Sequence, residues 1–113
     1  MPLRVYIAGP MTGLPAFNRP AFHAAADELR ACGLFVCNPA EQTPPRCGTW
    51  AGWMRGAIGQ LVTCDRVALL DGWEQSRGAC LEVHIAEQLG IERHPLRDVL
   101  TEARSARGQH RYS

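Results

Sequence analysis

Apolar residues along the chain fall into two kinds of segment that alternate. Three short runs, Arg4 to Ala8 (RVYIA), Leu34 to Cys37 (LFVC) and Val67 to Leu70 (VALL), are closed by Gly9-Pro10, Asn38-Pro39 and Asp71-Gly72. Continuous apolar runs between turn signals predict buried strands. Between them the spacing becomes helical. Phe22, Ala25, Ala26, Leu29 and Cys32 share one helix face up to Gly33, with Asn18 as N-cap and Pro20 suited to the first turn. Trp50, Trp53, Met54, Ala57, Ile58 and Leu61 mark a second helix that Thr49 can cap, and a third runs from Arg77 to Leu89 and stops at Gly90. Ile91 to His94 is a candidate fourth strand, and a last helix from Leu96 fades at Arg104.

Strands that alternate with helices at this spacing imply a parallel sheet, because each crossover needs a helix to return the chain. The expectation is a small doubly wound α/β fold, Rossmann- or flavodoxin-like, with three layers and a four- or five-stranded parallel sheet. At 113 residues this is one domain. Residues 1–103 would form it, and residues 104–113 a flexible basic tail.

Hydrophobic residues make up 46% of the chain and charged residues 20%, which excludes a disordered polyelectrolyte. No apolar run approaches the roughly 20 residues needed to cross a bilayer, so neither a membrane partner nor a signal peptide is expected, and the default compartment is cytoplasmic. All twelve cations are arginine, which excludes a Schiff-base lysine and a Walker-type phosphate lysine. Five of them fall in residues 93–113 against two acids. Such a tail can touch nucleic acid or simply fray; fraying is the expectation, with nucleic acid not a partner. The five cysteines are odd in number and never spaced CxxC, and the four histidines lack metal-ligand spacing. Reduced thiols, no metal and no cofactor are expected, with Cys32, Cys64 and Cys80 as small core residues.

In an open parallel sheet, ligands bind beyond the C-terminal ends of the strands where the strand order reverses. If the order begins 2-1-3, the loop of Gly9, Pro10, Met11 and Thr12 lies beside the loop from Asp71 through Trp73 to Gly78. The first lets backbone approach a ligand closely and offers a hydroxyl. The second feeds Ser76 into a helix start, where unpaired N–H groups favour an anion and Arg77 stands alongside. Asp71 at a strand end either faces the ligand or caps its own turn through Gly72. Trp50 and Trp53 suit core, subunit contact or ligand stacking.

Glu82 stands out. It lies one and a half turns into the third helix, with only Gly78 and Ala79 on the turn before it, among the apolar neighbours Leu81, Val83 and Ile85. Its carboxylate either snorkels to the surface or sits at the mouth of the strand-end crevice. A crevice with two acids, an anion-binding helix start and no catalytic Cys or Lys suits nucleophilic or acid/base chemistry at an acetal carbon.

On Tyr6 to Gly13, Trp50 to Leu61, Cys64 to Trp73 and Ser76 to Ala86, the chain resembles the nucleoside 2-deoxyribosyltransferase-like superfamily. Within it, the chain resembles a short, often phage-borne branch known as domain of unknown function DUF4406. The resemblance spans residues 4–92. It implies cleavage or transfer of the N-glycosidic bond of a (deoxy)nucleoside or nucleoside 5′-monophosphate, with Glu82 as nucleophile and Tyr6 as an aromatic hydroxyl beside it. It also implies that Ser76 contacts the sugar or its 5′-phosphate, that Gly9 to Thr12 form the substrate loop, and that the assembly is a homo-oligomer. One departure accompanies it: active members carry an aspartate where this chain has Ala57. Weakened activity, substitution by Asp71 or Glu74, and a protein that binds or sequesters its ligand without turnover are the three consequences open at this point.

Overall fold

The computed structural model describes residues 3–111, with side chains through residue 106. Four strands, β1 (Arg4–Ala8), β2 (Phe35–Cys37), β3 (Arg66–Leu69) and β4 (Glu92–Pro95), form one sheet in the order β2-β1-β3-β4, all parallel. Helices α1 (Arg19–Ala31), α2 (Trp50–Leu61) and α3 (Arg77–Gln88) supply the crossovers, and α4 (Leu96–Arg111) follows β4. The doubly wound three-layer fold expected from the alternation is therefore present, with four strands. No helix among the described residues is long and apolar enough to cross a membrane.

Because successive strand residues point to opposite faces, β1 supplies two cores. Val5 and Ile7 pack with Phe22, Ala26 and Leu29 of α1 and with Val99 and Leu100 of α4. Tyr6 and Ala8 pack on the other face with Ala57 and Leu61 of α2 and Ala79, Val83 and Ala86 of α3. Both faces of the central strands are covered, which is why their sequences read as unbroken apolar runs.

The caps divide into two kinds. Thr49 Oγ1 accepts from Gly52 N at 3.0 Å and Ser76 Oγ from Ala79 N at 3.2 Å, as N-caps should. Asn18 does not cap α1. Its side chain donates to Pro10 O at 2.9 Å, and Ala16, Phe17 and Asn18 form a left-handed turn with φ of 52°, 54° and 59° before the helix begins. The asparagine closes the β1–α1 loop instead of the helix. Two further expectations are corrected. Cys80 is exposed, its thiol donating to Glu74 O at 3.3 Å, because it lies on the solvent side of α3. The last helix does not fade at Arg104 but continues to Arg111, and residues 112–113 of the expected tail lie outside the described residues.

Gly9 ends β1 where the chain runs hard against β3. A Cβ there would sit 2.8 Å from Leu70 Cβ, the rigid base of that side chain. Gly9→Ala should therefore destabilise the protein by about 1–3 kcal/mol through overpacking. Urea unfolding measures this, and an unchanged midpoint would show that the contact relaxes freely.

Candidate active site

The order β2-β1-β3 puts the topological switch point between β1 and β3. Beyond the ends of these strands, on the α2/α3 face, lies a crevice lined by Gly9, Met11 and Thr12 from the first loop and by Ser76, Gly78, Ala79 and Glu82 from the start of α3. Phe22, Pro39, Trp50, Trp53 and Met54 complete its walls. The two loops singled out in the sequence are brought together, and Glu82 lies with them.

Glu82 is only 6% exposed, on a helix packed over Tyr6, which is fully buried on β1. The Tyr6 hydroxyl donates to Glu82 Oε2. Burial pushes the Glu82 carboxyl up to about 7, while the hydrogen bond from Tyr6 pulls the other way. Burial, and then the neighbouring Glu82, hold the Tyr6 hydroxyl well above its ordinary range, so it remains a donor at every working pH. The arrangement is a carboxylate poised near neutrality against one fixed donor. Among the described residues the crevice lining holds a single ionisable side chain, Glu82.

Other candidates lie elsewhere. Asp71 is exposed and lines a separate depression with Asn18, Glu28 and Arg97 on the α1/α4 side. The cause is the turn after β3: Trp73 N bonds Leu70 O at 3.3 Å and Gly72 takes φ 86°, so the chain has left the pleat before Asp71 can follow Leu69 towards the crevice. Trp73 is half-buried against the α2/α3 core, with the Arg93 guanidinium 5.4 Å from its ring. Pro10 does not line the crevice; its carbonyl takes the Asn18 bond. Arg77 is at the rim: its guanidinium lies 3.7 Å over the Trp50 ring. Ala57 is buried in the α2/α3 core, facing the same cluster as Tyr6.

Trp50 and Trp53, whose role helical spacing left among several possibilities, and Met54, placed by that spacing only on an apolar helix face, are wall residues. They reach the crevice because α2 packs on Gly78, where a Cβ would stand 3.2 Å from Met54 Sδ. The crevice itself encloses about 50 Å³, whereas the depression beyond Trp50 and Met54, lined also by Ile58, Val62 and Leu81, encloses about 480 Å³. Trp50 and Met54 belong to both walls. Among the described residues no three His, Cys, Asp or Glu side chains are grouped to hold a metal ion.

The family model described as Domain of unknown function (DUF4406) matches residues 3–93. The chain belongs to this family. No curated protein and no solved structure matches it. The matched segment of this DUF4406 protein contains every residue of the crevice wall.

The buried carboxyl has a consequence for stability. Between its ordinary value of 4.5 and about 7, the folded chain holds a proton on Glu82 that the unfolded chain has released. Stability therefore falls as pH rises through that window, and the loss is complete above it. Glu82→Gln keeps the shape and removes the charge. It should exceed wild type in stability by on the order of 1–3 kcal/mol near pH 8 and lose that advantage near pH 4. Urea unfolding at the two pH values decides; a constant difference between the proteins would mean that Glu82 titrates like an exposed carboxylate.

Proposed function

We propose that this DUF4406 protein cleaves or transfers the N-glycosidic bond of a (deoxy)nucleoside or nucleoside 5′-monophosphate, with Glu82 as the nucleophile, in the manner of the nucleoside 2-deoxyribosyltransferase-like superfamily. The observation that carries this reading is Glu82 itself, a buried carboxylate bonded to Tyr6 at a crevice walled by two tryptophans. Attack on an anomeric carbon needs an ionised carboxylate in a water-poor site and a donor that holds it in line. Glu82 and Tyr6 supply these. The sugar would enter at Gly9, Met11 and Thr12, and the base would extend past Trp50 towards the roomier depression, since about 50 Å³ cannot hold a whole nucleoside. Ser76 at the start of α3 and Arg77 on Trp50 favour a 5′-phosphate at the rim. No cofactor enters this scheme. The assembly expected is a homo-oligomer.

A second reading, a protein that binds or sequesters a nucleotide without turnover, is favoured by one observation. The crevice wall offers no second acid to help the leaving base depart, and Ala57 sits in the core where active relatives would carry an aspartate.

Incubation with ribo- and deoxynucleosides and their 5′-monophosphates, read by chromatography for free base, separates the two. Under the first reading wild type releases base, with a rate that climbs through about pH 7 as Glu82 ionises. Glu82→Ala then loses about 10³-fold or more, and Tyr6→Phe about 10- to 100-fold. Intact nucleotide, recovered after long incubation from a complex that shifts the melting temperature, would place the protein in the binding class.

A further inference from the structure

Two of the five free thiols meet on the α2/α3 face of the sheet. Cys37 ends β2 with its Cα paired to that of Tyr6, and Cys64 is buried in the turn that leads into β3, in the same cluster as Tyr6. The Cys37 thiol lies close enough to Cys64 to raise the pKa of its thiol. Both sulfurs also touch one polar unit. Arg4 Nη2 donates to the Cys37 sulfur at 3.9 Å and to Thr63 Oγ1 at 3.0 Å, and Thr63 Oγ1 lies 4.0 Å from the Cys64 sulfur. The remaining thiols are apart: Cys32 packs on the α1/α4 core, and Cys47 and Cys80 are exposed.

We propose that Cys37 and Cys64 form a reversible redox-modification site, closing to an intramolecular disulfide when the protein meets a peroxide. Cys37 is the more accessible sulfur and reacts first. Its sulfur attacks one peroxide oxygen, the O–O bond breaks, and water leaves as Cys37 becomes a sulfenic acid. Cys64 then attacks the Cys37 sulfur, the S–O bond breaks, and the hydroxyl departs with the Cys64 proton as a second water. The two thiols give up two electrons and two protons, and one peroxide becomes two waters. Burial, and then the adjacent Cys37, push the Cys64 thiol up to about 12, which keeps it inert towards oxidants until the sulfenic acid has formed beside it. Closure shortens the sulfur separation to about 2.05 Å. The movement required falls on Cys37, the last residue of a three-residue edge strand.

The test uses the full chain carrying Cys47→Ser and Cys80→Ser, which removes the two exposed thiols and leaves the crevice untouched. One equivalent of hydrogen peroxide should lower the intact mass by about 2 Da. Cys32 should then be the single thiol that reacts under denaturing conditions, and a proteolytic map should show a Cys37–Cys64 cross-link that dithiothreitol reverses. Adding Cys37→Ser should abolish the mass loss. Three thiols still reactive after oxidation, or a cross-link that includes Cys32, would overturn the proposal.

Discussion

A carboxylate taken out of water costs several kcal/mol unless a partner compensates it, and in this protein the partner supplied to Glu82 is the Tyr6 hydroxyl. That bond joins the central strand to the helix that follows β3. It forms only if Tyr6 faces the α2/α3 layer, which fixes the pleat of β1, and if α3 begins close enough to the sheet to bring its second turn over that strand. Ser76 sets where α3 begins, and Ala79, Val83 and Ala86 set how it lies. The functional geometry and the packing of one core are thus the same set of contacts. A shift of one residue in β1 would send Tyr6 into the α1/α4 core and leave Glu82 without a donor.

Much of this was legible because it rests on local rules. Buried strands, helical spacing and the Thr49 and Ser76 caps each depend on a few neighbouring residues, and the parallel sheet follows from their alternation. The meeting of the first loop with the start of α3 was legible for the same reason, since the switch point is a property of strand order. What escaped is whatever depends on where a chain goes after it leaves a regular element. Asp71 is one position beyond β3's apolar run, and the turn that begins at Leu70 carries it to the other side of the sheet edge. Asn18 has the right residue type for a cap, yet the left-handed turn before α1 directs its side chain to Pro10 instead. Spacing leaves Trp50 open between core, subunit contact and ligand stacking, and its place on the crevice wall is set by how closely α2 approaches Gly78, a distance no periodicity encodes.

Trp50 also decides how much room the site has. It separates a narrow cleft over Glu82 from a wider apolar depression, and its outer face is occupied by the Arg77 guanidinium. A stacked guanidinium keeps its charge and most of its hydrogen-bonding donors free, so Arg77 can hold the indole and still meet an anion at the rim. The cleft is polar at its floor, aromatic at its side and cationic at its mouth. Under the proposed reading, these environments would receive in turn a sugar, an aromatic base and a phosphate.

Under the proposed reading, the lack of a second acid in the crevice wall bears on turnover and not on whether there is a site. A glutamine at position 82 would fill the same volume and still accept from Tyr6 without the cost of desolvating a charge, and the fold would be more stable above neutral pH for it. A chain that keeps a carboxylate there carries a penalty that packing alone does not explain, and such penalties belong where a ligand or a reaction uses them. Ala57 is different in kind: it is a small apolar residue in a dry core, the inexpensive choice. Glu82 is thus the residue whose presence packing does not explain, whereas packing accounts for Ala57 in full.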